Sequence, residues 1–376
     1  MMNKNLIYLT YQTFPASTAN TIQTIDNLKY LSKKGYKVKV IFPLRSKTSS
    51  DEINKLKDFY EFKEEIEFKG LRHNLPFGKF GIFEKYFFVI SHYFWAKKAC
   101  KGFNNIKNKD AQFFTRSDWV FYFLSKRQYN IIFECHQLSK TRKWVLKKSI
   151  AYPNSKVIFL NNNLKIDSGI NSNEFSNKIE VIHNGVDPKL FKFPKNKDPY
   201  QIIFTGNLKR FNDERGLNFI IDTFKNKLMP DKYSLVIIGG PTQEVLKMKK
   251  YISKMNLNNK IKIFDRTNRS SVISNIEKAG IGLLINSSNN PHSTKYTSPL
   301  KYFEFLYAGL KIIGVDFPSH RELPFSDKIY FFKENNTESF INALNSSSSF
   351  KAINKNKLDT ITLLSRVNKI DLFIKK

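Results

Sequence analysis

Residues 5–42 read NLIYLTYQTFPASTANTIQTIDNLKYLSKKGYKVKVIF, and the fold is decided here. Residues 5–10 alternate into an apolar strand, and 11–18 form a loop containing Pro15. Ile22, Ile25, Leu28 and Leu31 then recur at helical spacing, Gly35 closes that helix, and 36–42 make a second apolar strand. Strand, loop, helix and strand in this order open a parallel sheet covered by helices. The loop lacks the G-x-G-x-x-G pattern, and neither that pattern nor a Walker sequence occurs elsewhere in the chain. This argues against nicotinamide and P-loop chemistry.

The same alternation continues outward from this unit. Residues 111–115 and 130–134 read as buried strands on either side of a helix at 118–126, and 156–161 and 180–182 as further strands. Residues 51–69 are charged and read as a helix or a loop excursion. The polar, Pro- and Lys-rich stretch 188–199 reads as an interdomain linker. A second sheet begins at 201–205 and runs through 234–238, 260–264, 282–285 and 311–315, with helical stretches between the strands. The predicted fold class is therefore α/β, with two Rossmann-like doubly wound domains. They occupy residues 1–187 and 200–349, and a helical tail at 350–376 is expected to pack back on the first.

A length of 376 residues with 41% hydrophobic content supports two separate cores. Cys100 and Cys135 form neither a disulfide framework nor a metal-ligand cluster, so a reducing compartment is expected. The N-terminus has no signal-peptide architecture, and no apolar run approaches the ~20 residues that span a bilayer. The formal charge of +31 attracts nucleic acid, acidic lipid headgroups or phosphorylated small molecules, unless it reflects biased codon usage alone. It carries meaning where it clusters. Phe77, Phe80, Phe83, Phe87, Phe88 and Phe94 interleave with Lys79 and Lys85 ahead of Lys97, Lys98 and Lys101. That pattern fits an interfacial helix, or core helices whose lysines are the wet side. Lys140, Arg142, Lys143, Lys147 and Lys148 pose the same choice between an anionic membrane contact and a solvated face.

Residues 298–309, SPLKYFEFLYAG, form the most informative short helix. Ser298 is expected as N-cap, Pro299 at the first helical position, and Gly309 at the left-handed end. Leu300, Phe303 and Tyr307 mark a core face. The free N–H groups of the helix start favour a phosphate, and Glu304, one turn in, is placed to accept sugar hydroxyls. Phosphate beside ribose means a nucleotide; the alternative is that Glu304 belongs to a solvated stripe. His136, just past the strand 130–134, sits where open α/β sheets bind ligands, although a lone histidine is more often structural.

Taken together, the motifs resemble the group 1 retaining glycosyltransferases (family four, GT-B fold) over nearly the whole chain. The resemblance rests on Pro15 with Thr18-Ala19-Asn20-Thr21, on Gly35-Tyr36-Lys37-Val38, on Thr115-Arg116-Ser117 and on Phe133-Glu134-Cys135-His136. It continues in His183-Asn184-Gly185-Val186-Asp187, Phe204-Thr205-Gly206-Asn207-Leu208 and the Ser298 helix. It implies two Rossmann-like domains facing each other across a cleft, the first binding acceptor and the second a nucleotide-sugar donor. Glu304 would then hold the ribose, and the turn through Thr297, Ser298, Pro299 and Leu300 would offer N–H groups to the diphosphate. Arg215 would face the diphosphate, helped by Lys301 or Arg210, while the backbone of Asp265, Arg266 and Thr267 would meet the base. His136 would contact the donor sugar, and Ser17, Thr18, Asn20 and Arg116 would line the acceptor side.

The chain departs from the family at Tyr296, where a glutamate is common, and at Asn207, where many members carry arginine. Asp-x-Asp does not occur. Fixed cations and helix N–H groups are therefore expected to stabilise the leaving diphosphate without a metal or other cofactor. The expected activity is retaining transfer of a sugar onto a glycan or lipid-linked glycan, in the cytoplasm or on the inner face of the plasma membrane, with no nucleic-acid partner. The competing readings are a nucleotide-sugar epimerase of the same fold and a non-catalytic polyanion-binding scaffold.

Overall fold

The computed structural model describes residues 4–45, 49–73, 75, 83–103, 110–194, 196–210 and 213–376. Phe77, Lys79 and Phe80 of the aromatic stretch lie outside the described residues, as does the side chain of Lys85. The chain forms two compact units, Met1–Ile182 with Val367–Lys376, and His183–Arg366.

The first unit contains β1 (Lys4–Leu9), α1 (Ala19–Lys33), β2 (Tyr36–Leu44), α2 (Ile53–Tyr60), β3 (Ile66–Arg72) and α3 (Glu84–Lys101). It continues with β4 (Gln112–Thr115), α4 (Asp118–Lys126), β5 (Ile131–Cys135), α5 (Lys140–Ile150), β6 (Ser155–Phe159), α6 (Asn162–Asp167) and β7 (Ile179–Val181). Its seven strands are parallel in the order β3-β2-β1-β4-β5-β6-β7, so the strand order reverses between β1 and β4.

In the second unit, β8 (Asp198–Thr205) leads to the small hairpin β9 (Lys209–Arg210) and β10 (Asp213–Glu214), then α7 (Leu217–Thr223). There follow β11 (Ser234–Ile238), α8 (Thr242–Lys254), β12 (Ile261–Phe264), α9 (Arg269–Lys278), β13 (Ala279–Leu284), α10 (Pro291–Lys295) and α11 (Leu300–Tyr307). Last come β14 (Lys311–Val315), α12 (Pro318–Arg321), β15 (Ile329–Phe332), α13 (Thr337–Ser346), α14 (Lys355–Leu358) and α15 (Leu363–Lys375). The six-stranded parallel order is β12-β11-β8-β13-β14-β15, which puts the switch point between β8 and β13. Strand alternation sorts the core: Ile202, Phe204, Leu235 and Ile237 fill one face of the sheet, and Ile203, Val236 and Ile238 fill the other. Each such burial contributes about 1.5–3 kcal/mol.

The structure corrects several expectations. Residues 66–72 are a strand, not part of a charged helix or loop: Ile66 and Phe68 point inward and Glu67 and Lys69 outward, as an edge strand with one wet face requires. The stretch 188–199 belongs to the second unit and is not a free linker. Phe191 is buried there, and the N–H groups of Lys192 and Phe193 both donate to Glu277 Oε1 at 2.6 Å. Of the tail, only Val367–Lys376 joins the first unit, where Asp371 accepts from the Tyr36 hydroxyl at 2.7 Å. Residues 350–366 stay with the second, and Val186 bridges Thr362 there.

Candidate active site

The candidate donor site lies at the carboxyl ends of the strands flanking the switch point in the second unit, the position where doubly wound sheets bind ligands. Its floor is glycine. A Cβ on Gly239, after β11, would fall 1.8 Å from the Gly206 carbonyl oxygen after β8, so that turn admits no side chain. Gly206 itself has φ +118°, a conformation open to glycine alone. The two turns therefore pack backbone against backbone.

Arg215 spans the switch point. Its Nη1 donates to the Asn207 carbonyl at 3.2 Å on the β8 side, while Nη2 donates to the Ile285 carbonyl at 3.2 Å and Nε to Asn286 Oδ1 at 3.1 Å on the β13 side. Glu214 beside it is occupied as an acceptor for the N–H groups of Gly216 and Leu217, at 2.7 and 2.5 Å, at the start of α7. Lys301, in the first turn of α11, donates from Nζ to the Thr205 carbonyl at 3.2 Å and stands 3.8 Å from the Phe204 ring centroid. Arg215 and Lys301 expose only 8% and 9% of their surfaces. Among the described residues neither has a carboxylate within ion-pair distance.

Electrostatics reflects that crowding of positive charge. Burial, with Arg210 pushing the same way against Glu214, lowers the Arg215 guanidinium to about 9. Burial alone lowers Arg210 to about 10. Lys301 is held well below its ordinary value by burial and then by Arg215 and Arg210, which outweigh Glu304. Buried cations bonded to carbonyls and amides, rather than to carboxylates, are costly until an anion joins them. The arrangement suits a phosphate or diphosphate, for which a guanidinium is a good partner.

Helix α11 begins one residue later than expected. Pro299 is the N-cap, with φ −72° and ψ 129°, and Ser298 does not cap the helix. Instead the Ser298 hydroxyl accepts the Asn184 N–H at 3.1 Å, and its carbonyl accepts from the Asn184 side chain. The His183-Asn184-Gly185 segment thereby braces the turn. Thr297 is buried against Ser319, 3.2 Å between hydroxyls. Gly309 has the expected positive φ of +75°. Glu304 exposes only 3% of its surface, so the solvated-stripe alternative is excluded. Its Oε1 accepts from Arg269 Nη2 at the start of α9, which ties α11 to the loop following β12.

That loop carries the residues expected near the base. Asp265 accepts the Arg266 N–H at 2.7 Å, and its carboxyl is lowered by bonds to Thr242 and to that N–H. Arg266 and Thr267 are exposed, and Arg266 Nη2 donates to Asn207 Oδ1 at 2.7 Å. A position where many family members carry arginine thus receives a guanidinium from elsewhere in the chain. Asn184 was quoted in the sequence only as part of a motif, and Asn286 and Arg269, which also line the candidate site, were not singled out there. Asn286 directly follows a strand run and Arg269 directly follows the α9 cap Asn268, the two signals that could have marked them.

His136, Ser17, Thr18, Asn20 and Arg116 lie in the first unit. His136 Nε2 stands 3.3 Å from Glu134 Oε1, and Glu134 Oε2 accepts Arg116 Nε at 2.9 Å. Arg116 also donates to Asn20 Oδ1 at 2.6 Å and Thr24 Oγ1 at 3.1 Å. Burial opposes its charge, but Glu134 more than compensates and raises the guanidinium. Thr18 caps α1 by accepting the Thr21 N–H, and Ser17 is exposed. Among the described residues no three His, Cys, Asp or Glu side chains are grouped to hold a metal ion.

Residues 186–356 match the family model of glycosyl transferases group 1. No curated protein matches the chain. Similar solved structures include sucrose-phosphate synthase from Thermosynechococcus elongatus, at 13% identity and TM-score 0.70 over 99% of this chain and 98% of that one. A glycosyltransferase from Rickettsia africae is 17% identical with TM-score 0.69 over the whole of both chains. Anabaena Alr3699/HepE, solved in complex with UDP and glucose, is 12% identical with TM-score 0.66 over 99% of this chain and all of that one. The group 1 glycosyl transferase model thus covers most of the second unit, and the two doubly wound parallel sheets share the fold of these GT-B glycosyltransferase structures over the length of the chain.

Proposed function

We propose that the protein transfers a sugar from a nucleotide-sugar donor onto a glycan or lipid-linked glycan, with retention at the anomeric carbon and without a metal. The observation that carries this reading is the pair of buried cations, Arg215 and Lys301, that bond only neutral groups at the switch point, with the Glu304 carboxylate one turn along the same helix. Breaking the bond between the anomeric carbon and phosphate leaves a nucleoside diphosphate with additional negative charge. Cations held in place by Asn286, Asn207, Ile285 and Thr205 stabilise that charge without reorganising, each charge-assisted bond contributing about 1.5–3 kcal/mol.

Glu304 is the proposed acceptor for the ribose hydroxyls, with Arg269 fixing one carboxylate oxygen. Arg210 and the N–H groups at the start of α11 are proposed to share the diphosphate, and the Asp265–Thr267 backbone to meet the base. His136, its ring beside Glu134, is proposed to serve the donor sugar. Ser17, Thr18, Asn20 and Arg116 are proposed for the acceptor. That Anabaena HepE is solved with UDP and glucose supports a nucleotide-sugar donor. The reaction is proposed to take place in the cytoplasm or on the inner face of the plasma membrane. The free cysteines, Cys100 and Cys135, accord with a reducing compartment, and no helix among the described residues is long and apolar enough to cross a bilayer.

The test is NMR of the purified protein with a panel of nucleotide sugars and glycan acceptors, with and without EDTA. The expected product keeps the donor's anomeric configuration and forms at the same rate with chelator present. An epimerised donor formed without acceptor, or turnover abolished by EDTA, contradicts the reading.

A further inference from the structure

The helix α3 is apolar on both sides. Its inward face buries Ser91, His92, Trp95, Ala96, Ala99 and Cys100. Its outward face is a stripe at helical spacing, Phe83, Tyr86, Ile90 and Phe94, of which Tyr86 is 70% and Phe94 51% exposed. A solvated helix places polar residues there. The stripe ends in charge, since Lys97 and Lys101 continue the same face by one and two turns and are exposed.

The apolar surface extends beyond α3. Phe94 meets Tyr93 at 5.6 Å between ring centroids, and Tyr93 meets Trp119 of α4 at 5.1 Å. Trp119 meets Tyr122 at 6.3 Å, and Tyr122 meets Trp144 of α5 at 5.3 Å. Trp144 is 46% exposed, so a chain of touching rings runs across three helices and surfaces at both ends. Lys140, Lys147 and Lys148 of α5 are exposed beside it. Glu84 and Asp118 are the only acidic residues of the three helices, and Asp118 is buried, 3.4 Å from Arg142.

From this geometry we infer that the α3–α4–α5 face docks the protein on an anionic lipid bilayer. Tryptophan and tyrosine rings favour the headgroup level, where the apolar body and the polar tip are both accommodated. The lysines at both ends of the ring chain match a negative surface. A protein partner would be met by the same rings, but a basic rim with almost no acidic residues favours an extended anionic plane over a mixed-charge surface. This inference deepens the lipid-linked acceptor of the proposed function and takes its biological meaning from it. Its test requires no turnover.

The measurement is flotation of the purified full chain with vesicles of phosphatidylcholine alone and of phosphatidylcholine with phosphatidylglycerol. The protein floats with the anionic vesicles, and salt weakens the association. The double variant Lys147→Glu/Lys148→Glu reduces partitioning roughly 10-fold or more. The double variant Ile90→Ser/Phe94→Ser reduces it at every salt concentration, with nucleotide binding unchanged because both side chains lie in the first unit, outside the candidate donor site. Equal or absent flotation with the two vesicle types overturns the inference. So does unchanged flotation of both variants, or a concentration-dependent dimer that Ile90→Ser/Phe94→Ser abolishes, which would make this face a contact between copies. Flotation by a protein that binds no nucleotide supports the docking face and counts against the transferase reading alone.

Discussion

Arg215 and Glu304 show how a side chain's role follows from what its neighbours leave over. The guanidinium spends its donors on Asn286 and two backbone carbonyls, which fix its plane and leave its charge unneutralised. Glu304 gives Oε1 to Arg269 and is otherwise enclosed by the buried face of α11. Glu304→Gln keeps the shape of that contact but removes the charge proposed to hold the ribose hydroxyls. It is expected to weaken a ribonucleoside diphosphate by about 1.5–3 kcal/mol and to leave the 2′,3′-dideoxy analogue nearly unaffected, as read by calorimetric titration. Equal losses for both ligands would place Glu304 outside the ribose contact. The carboxylate was legible in the sequence from its position one turn into a marked helix. The cap was not: Ser298 satisfies every local N-cap preference, yet Asn184, 114 residues earlier, takes its hydroxyl and carbonyl. Local propensity carries no information about so distant a competitor. Arg269 was missed for the same reason, since its partner lies 35 residues away.

Among the elements, α3 depends on its inward face as much as it displays its outward one. His92 stacks on Tyr11 with centroids 4.4 Å apart, and its Nε2 lies 2.6 Å from the Ser117 hydroxyl. Burial, with Arg142, Arg45 and His73 acting against Asp118, lowers His92 to about 4. His73, bonded to Ser91 of α3 at 2.8 Å, is lowered to about 4 by burial and by Arg45 and Lys98. An unfolded histidine binds its proton near 6.5, so between 6.5 and 4 the unfolded chain holds more protons than the folded one. Stability that is complete above pH 6.5 is therefore lost as pH falls through this window, His92 contributing about 1–3 kcal/mol. Urea midpoints at pH 7 and pH 4.5 check this: the wild type loses stability on acidification and His92→Gln loses less. A midpoint independent of pH would mean that these rings titrate freely. Strands were legible where both faces are buried, as in β5 and β11, but β3 was obscured because Glu67 and Lys69 interrupt its apolar positions. The short edge strand β15 was not recognised either, and it has two half-buried residues in four.

At the level of the whole molecule, two parallel sheets share one logic. In each, the strand order reverses beside the first strand, and the candidate site side chains lie near the carboxyl ends of the strands. The alternation of strands and helices was readable along the chain, because burial on both faces leaves apolar runs that punctuation by glycine and proline separates. The borders of the units were less readable. Residues 188–199 look like a linker by composition, but Phe191 and the bonds to Glu277 anchor them to the second unit, and α15 divides the tail between the two. Composition reports average polarity, whereas a border is set by a few buried anchors.

If the buried cations of the second unit hold a diphosphate, equilibrium binding reveals it most directly. Thermal unfolding of the wild type and of Arg215→Ala would be followed with UDP, GDP, ADP and CMP. The expected result is stabilisation by at least one nucleoside diphosphate, ~2.7 kcal/mol at 100 times its dissociation constant, with affinity roughly 10- to 150-fold weaker in Arg215→Ala. Stabilisation by none of the four nucleotides, or an Arg215→Ala protein that binds as tightly as wild type, would contradict it.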